Sequence, residues 1–278
     1  MTTLANQWAI ITGGSSGIGL AIARQLVMEG VHVALLARRQ ELLISAKNEL
    51  EALKVLPNQI IHTITADVAD RDELIGHLEL FQNEFGPPDY LINSAGITYP
   101  GKFHTLSYDV IESLMTVNYL GTVYSTRALI PGMLARGSGH VVNISSVAGF
   151  IGTYGYSAYG ASKYAVRGFS DAIRAEYRPR GIKISVVFPP DTLTPQLEFE
   201  KDLKPAITRE LSDTAGLMQA DEVARIIWKD VKRGNYVILP GFNSKLLYFL
   251  VNLLGNFTYP VMDFMINNAI RSITKRWK

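Results

Sequence analysis

A tyrosine and a lysine stand four residues apart in Tyr159-Gly-Ala-Ser-Lys163, near the start of a run that reads as a helix, Ala158–Tyr177. Residues i and i+4 share one helix face. An ammonium beside a phenol favours the phenolate, which predicts a Tyr159 pKa drawn down from about 10 toward neutrality. Such a group can protonate a carbonyl oxygen or take the proton of the corresponding alcohol. Ser146 stands thirteen residues earlier, at the end of an apolar run that closes with Asn143-Ile144-Ser145-Ser146. Ligands bind at the C-terminal ends of parallel strands, so Ser146 is expected to reach the same oxygen as Tyr159. Ser145 is the alternative, because strand alternation turns only one of the two toward the site.

A second set of residues suits a phosphate. Thr12-Gly-Gly-Ser-Ser-Gly-Ile-Gly19 lies between the first apolar run and the first helix-like run. Glycines allow a tight turn and close approach of a pyrophosphate, and a helix N-terminus offers free N–H groups. The spacing is Gly-x-x-x-Gly-x-Gly, and a purely structural turn is the competing explanation. The second apolar run ends in Ala37-Arg38-Arg39. An acid there would accept a hydrogen bond from a ribose 2′-hydroxyl, whereas two guanidinium groups suit a 2′-phosphate. This predicts NADP(H) as cofactor, with solvated arginines at a helix start as the alternative.

Positioning these residues takes a strand-helix alternation. Short apolar runs at Trp8–Thr12, Val31–Leu36, Ile60–Thr65, Tyr90–Asn93, His140–Ser145, Lys183–Phe188 and Tyr236–Leu239 have strand length. Between them Ile18–Glu29, Glu41–Leu53, Glu73–Phe85, Val110–Ala135, Ala158–Tyr177 and Asp221–Lys232 read as helices. The pattern predicts an α/β, Rossmann-type doubly wound parallel sheet of about seven strands in a single domain over residues 1–240. The chain has 278 residues, 47 % of them hydrophobic, and no cysteine, which excludes disulfides, thiolate catalysis and Cys-based zinc sites. A formal net charge of +2 argues against nucleic-acid binding, and the five histidines lack metal-ligand spacing, so no metal is expected.

The chain resembles the short-chain dehydrogenase/reductase family over nearly all of residues 6–240. The resemblance rests on Thr12–Gly19, Asp67-Val68, Asn93-Ser94-Ala95-Gly96, Asn118, Ser146, Tyr159-x-x-x-Lys163 and the turn Pro189–Thr194, in family order. It implies that Tyr159 protonates the substrate oxygen, that Ser146 orients it and that Lys163 also binds the nicotinamide ribose. Asn118 would hold a water linking Lys163 to solvent, although a plain buried amide is the alternative. Cofactor contacts would come from Gly13, Ser15, Ser16, Gly17, Ile18 and Gly19, from Arg38 and Arg39, and from Asp67 and Val68 at the adenine. Asn93, Ala95 and Gly96 would line the groove, and Pro189, Thr192 and Thr194 would hold the nicotinamide end. Two positions depart from the family pattern: Ser94 replaces a second Asn, and Pro190 replaces a Gly and cannot donate an N–H.

Within the family, Asn118–Tyr124 and Pro189-Pro-Asp-Thr-Leu-Thr-Pro195 resemble the 3-ketodihydrosphingosine reductases, with Lys204-Pro205 and Ala37-Arg38 also fitting. This implies reduction, with NADPH, of the 3-keto group of a long-chain sphingoid base. Another hydrophobic ketone or aldehyde, such as a steroid or retinoid, is the competing substrate, and a non-catalytic nucleotide sensor the competing class. Tyr99, Phe103, Phe150, Tyr154, Tyr156, Leu193, Leu197, Phe199, Leu217 and Met218 are apolar candidates to surround an acyl chain, or else core and interface residues. The stretch from Thr192 to Met218 reads as a substrate-covering insertion.

The tail, 241–278, is apolar from Leu246 to Ile270, with Lys245, Arg271, Lys275, Arg276 and Lys278 against one acid, Asp263. Polar residues, glycine and proline interrupt it, which argues against a spanning helix of about 20 apolar residues. An interfacial segment with basic anchors fits better, and an oligomer interface is the alternative. The N-terminal residues lack a signal-peptide pattern. The expected protein is cytoplasmic, with peripheral membrane contact through the tail, and a homodimer or tetramer.

Overall fold

The computed structural model describes residues 4–212 and 216–276. Its centre is a seven-stranded parallel sheet of β1 (Trp8–Thr12), β2 (His32–Ala37), β3 (Ile61–Thr65), β4 (Tyr90–Asn93), β5 (Gly139–Ile144), β6 (Ile182–Val187) and β9 (Val237–Ile238). Two further short strands, β7 (Thr192–Leu193) and β8 (Met218–Gln219), pair with each other outside the main sheet. The main order is β3-β2-β1-β4-β5-β6-β9, and all its pairs are parallel. The order reverses between β1 and β4, and the crevice at such a switch point is where a doubly wound sheet binds ligands.

Both faces of the sheet are covered. Ala9, Ile11, Val33 and Leu35 join a core with α1 (Gly17–Val27), α2 (Gln40–Glu51) and α9 (Ala220–Lys232). Their chain neighbours Trp8, Ile10, Ala34 and Leu36 face the other way, onto α3 (Arg71–Phe85), α5 (Gly121–Arg136) and α6 (Ser157–Tyr177). Double coverage is why these strands are apolar at every position rather than at alternate ones.

One helix departs from the sequence expectation. The run expected as a single helix over Val110–Ala135 is α4 (Tyr108–Met115), a π-helical segment Thr116–Leu120, and then α5. A π segment inserts one extra residue per turn and is found mostly at functional sites. Here it holds Asn118, 1 % exposed.

Between β7 and β8 the chain forms α7 (Pro195–Leu203) and α8 (Ala206–Ser212). Thr194 caps α7, its Oγ1 accepting from Leu197 N at 3.3 Å. The tail forms α10 (Phe242–Leu254) and α11 (Thr258–Arg276), separated by Gly255 at φ +51°. Tyr248 of α10 packs on Phe150 and Phe188, and Ser272 of α11 donates to Glu210 of α8 at 3.0 Å. Of the expected basic anchors, Lys278 and the side chains of Lys275 and Arg276 lie outside the described residues.

Candidate active site

The end of β5 and the first turns of α6 are joined at three consecutive residues. Lys163 Nζ donates to Ile144 O at 3.1 Å, Ser145 Oγ donates to Lys163 O at 2.9 Å, and Ser146 stands close enough to the Tyr159 phenol to lower its pKa. Ser145 and Ser146 thus serve opposite sides of the strand end. Ser145 fixes the backbone of the lysine, and Ser146 shares the oxygen chemistry of the tyrosine. Ser146 Oγ also accepts from Ala148 N at 3.2 Å, which sets its orientation. Tyr159 and Lys163 are buried, at 9 % and 5 % exposure, and Lys163 Nζ lies 5.7 Å from the Tyr159 ring centre.

The expected tuning of Tyr159 toward neutrality is not what this geometry gives. Burial pushes the phenol well above its ordinary value, and the carboxylates of Glu200 and Asp191 push the same way. The nearby Ser146 hydroxyl opposes them and is outweighed. Burial also lowers the Lys163 ammonium, to about 8. Desolvation of both groups therefore exceeds the stabilisation that the i, i+4 spacing suggested. The phenol is held fully protonated at neutral pH, as a proton donor requires.

Tyr159, Lys163 and Ser146 line a cavity of about 1070 Å³ that also takes in the glycine turn. Gly13, Ser15, Ser16, Gly17 and Ile18 line it, with Arg38 and Arg39 at the end of β2, Asp67 and Val68 beyond β3, and Ala95 and Gly96 beyond β4. Pro189, Thr192 and Thr194 line it from the segment after β6. Gly17 has φ +56°, and a Cβ there would come within 3.2 Å of Thr194 Cγ2. The N-terminus of α1 carries no side-chain cap from Ser16, which leaves its N–H groups for an anion. Arg38 is exposed, its Nη1 3.4 Å from Asp67 Oδ2.

Three expected site residues sit behind the lining rather than in it. Gly19 packs under the turn, where a Cβ would be 2.4 Å from Gly13 O. Asn93 was expected to line the groove. Its amide instead donates to Asn143 Oδ1 at 2.8 Å and Thr126 Oγ1 at 3.0 Å, and accepts from Ser125 Oγ at 2.7 Å. A fully bonded buried amide joins β4 to β5 and α5, and none of its polar atoms is left for a ligand. Asn118 Oδ1 accepts from Ile97 N at 2.8 Å, while its Nδ2 donates to Ile97 O at 3.0 Å and to Ser162 Oγ at 2.9 Å. This two-way clamp fixes the loop carrying Gly96 against α6.

The apolar candidates divide. Tyr154, Tyr156, Leu197 and Phe199 line the cavity, whereas Phe150 is core, against Phe188 and Tyr248. Tyr99, Phe103, Leu193 and Leu217 are exposed and outside the lining. Sequence reasoning missed the tail as a cavity wall: Leu246, Leu247 and Leu250 of α10 and Met262, Met265 and Ile266 of α11 line it. It also missed Thr98 and Glu200, both buried and lining the same space. The available signal for Glu200 was its i, i+4 spacing to Lys204.

Comparison with known proteins agrees with this geometry. The family model for short chain dehydrogenases matches residues 7–203. A 3-dehydrosphinganine reductase from Danio rerio is 41 % identical over 228 residues, covering 82 % of this chain and 69 % of that protein. A short-chain dehydrogenase from Streptomyces avermitilis superposes with a TM-score of 0.78 at 28 % identity, covering 95 % of this chain and 97 % of that one. A metagenomic short-chain oxidoreductase solved in complex with NADP gives 0.71 at 26 % identity, covering 87 % and 100 %. The sheet order, the glycine turn and the Ser146, Tyr159 and Lys163 constellation thus come together in one lineage: this chain is a member of the short chain dehydrogenase family and an oxidoreductase.

Proposed function

We propose that this chain is an NADPH-dependent reductase of the 3-keto group of a long-chain sphingoid base, working at a membrane surface. The carrying observation is that one cavity joins the glycine turn and Arg38 to Tyr159 and to an apolar wall from α10 and α11. The name of the Danio rerio relative supports the substrate, and the NADP of the metagenomic oxidoreductase supports the cofactor.

The cofactor fits the residues present. The uncapped N-terminus of α1 and residues Ser15–Ile18 would hold the pyrophosphate, and Arg38 and Arg39 the 2′-phosphate. Asp67 and Val68 would border the adenine. Ala95, Gly96 and Lys163 would border the nicotinamide ribose, and Pro189, Thr192 and Thr194 the nicotinamide. When bound, the nucleotide supplies the hydride. A ketone oxygen beside Tyr159 accepts hydrogen bonds from its phenol and from Ser146. As negative charge grows on that oxygen, Tyr159 gives up its proton. The Ser146 hydroxyl and the Lys163 ammonium stabilise the phenolate left behind. The test is NADPH oxidation with 3-ketodihydrosphingosine against a steroid ketone and a retinoid aldehyde, with NADH as control. Better turnover of the steroid or retinoid, or equal use of NADH, would refute the assignment.

The membrane part of the reading rests on the outer side of the same helices. Phe242, Phe249, Leu253, Phe257, Tyr259 and Phe264 are all more than 60 % exposed. Large apolar side chains this exposed, gathered on two successive helices, suit an interaction site. The stretch Phe242–Thr274 is long and apolar enough to cross a bilayer, but Gly255 breaks it and its inner side lines the cavity. These features support an interfacial position over a spanning one, with exposed Lys245 and Arg271 beside the segment. If the same face instead joined two copies of the chain, assembly state rather than liposome binding would change on its disruption.

A further inference from the structure

The cavity wall beside Tyr159 carries charge that reduction of a plain ketone does not use. Glu200 of α7 is 6 % exposed and lines the cavity. Its carboxylate accepts a hydrogen bond from the Tyr156 hydroxyl, and the Tyr156 and Tyr159 rings are 5.6 Å apart. The carboxylate is thus one side chain away from the proton donor. Lys204, at the end of α7, lies 3.7 Å from Glu200 Oε2 and 3.3 Å from Asp191 Oδ2, so two carboxylates share one ammonium. The neighbouring cations point elsewhere: Arg209 donates to the carbonyls of Lys204 and Asp202, and Lys163 to that of Ile144. The group keeps one negative charge in excess, next to the space a substrate enters.

A second observation is independent of this charge count. Thr98, 4 % exposed, lines the same cavity, yet its Oγ1 makes no hydrogen bond with any described residue. It lies near enough to the Glu200 carboxyl to lower its pKa, without the geometry of a bond. Packing α7 onto α6 explains the pairings of Tyr156 and Lys204. It does not explain a buried hydroxyl left open, which native structures avoid.

We infer that Glu200 and Thr98 recognise a cationic amine beside the ketone, and so make this enzyme prefer an amino ketone over a plain ketone of equal chain length. An alkylammonium brings three donors and one positive charge. Glu200 and Thr98 supply acceptors, and the charge balances the excess. Burial raises the Glu200 pKa, and the incoming cation holds it ionised. The inference rests on the sphingoid-base reading above and names the residues that would read its amine.

The test compares kcat/KM with NADPH for 3-ketodihydrosphingosine and for the analogue carrying hydrogen in place of the amine. The ratio of the two is measured in the wild type, Glu200→Gln and Thr98→Val. The wild type is expected to favour the amine. Glu200→Gln keeps an acceptor for Tyr156 and is expected to lower the ratio by about 10- to 100-fold, the size of a lost charged hydrogen bond. Thr98→Val gives up no hydrogen bond within the described chain and is expected to lower it by about 3- to 10-fold. It decides the matter if Glu200→Gln fails to fold, as judged by its melting curve. A wild type indifferent to the amine, or an unchanged ratio in both variants, overturns the inference and leaves ketone reduction standing. A wild type that reduces neither compound overturns the sphingoid-base reading and the inference with it.

Discussion

Replacing Asn118 by Ala separates two ways this residue could serve the site. A water relay to Lys163 would make its loss a matter of catalysis alone. The structure shows a clamp: the amide pairs both backbone groups of Ile97 and accepts no compromise from solvent, at 1 % exposure. Truncation leaves the Ile97 N–H and C=O without these partners, each worth about 1–3 kcal/mol when buried and unpaired. Ser162 loses less, since its hydroxyl still donates to Tyr159 O at 2.7 Å. A total near 3 kcal/mol corresponds to a fall in melting temperature of about 6–12 °C, at about 2–4 °C per kcal/mol in a chain of this size. Turnover is expected to drop about 100-fold as well, because Gly96 and Lys163 lose their fixed separation and small misplacements are costly. The assay is a thermal melt followed by single-turnover NADPH oxidation at a temperature where the variant is folded. An Asn118→Ala protein that melts with the wild type but has lost turnover would refute the clamp and favour the relay.

Tyr159→Phe removes the proton donor and is expected to cut turnover by about 10²–10⁴ while NADPH still binds, as fluorescence titration would show; near-normal turnover would remove Tyr159 from the chemistry. Arg38→Asp is expected to weaken NADPH by about 100-fold and NADH much less, since one partner of a charged hydrogen bond is lost and a repulsion gained; an unchanged affinity ratio would move the assignment to Arg39. Burial sets the Lys163 ammonium at about 8. Reduction needs that ammonium, so kcat is expected to fall as pH rises through about 8, and an alkaline limb that persists unmoved in an active Lys163→Arg variant would show another group is titrating. Phe249→Glu with Phe264→Glu is expected to abolish sedimentation with anionic liposomes, and wild-type binding to weaken with salt as the charges are screened; wild-type protein left in the supernatant at low salt would end the membrane reading.

The doubly wound sheet was legible because β1 and β2 are apolar at successive positions, on both strand faces, whereas the helices are not. The glycine turn and the pairing of Tyr159 with Lys163 were legible because local spacing alone puts them at strand ends and on one helix face. The π segment was not: an extra residue in a turn leaves the apolar stripe of Val110–Ala135 continuous in sequence. Asn93 was misplaced because an amide that lines a groove and an amide that ties strands together have the same local signature. The Tyr159 phenol was misjudged because spacing reports a neighbouring charge, whereas the dominant influence, burial, belongs to the assembled fold. The tail showed its apolarity but not its two faces, since α10 and α11 are apolar toward both the cavity and the solvent.

The joint between β5 and α6 has a consequence for how such an enzyme changes. Ile144, Ser145 and Ser146 each hold a different part of the Tyr159–Lys163 turn, so the reacting groups can move only together, as one body on rigid elements. The opposite wall is built from α7, α10 and α11, and of these α7 touches the reacting groups' own helix, through the Glu200–Tyr156 hydrogen bond. Substrate range can therefore be redrawn in the tail with the proton-transfer apparatus untouched, whereas changes at Glu200 in the insertion also reach the Tyr159 phenol. A swap of residues 242–276 between two relatives would transplant selectivity while the intrinsic reactivity stayed with the recipient.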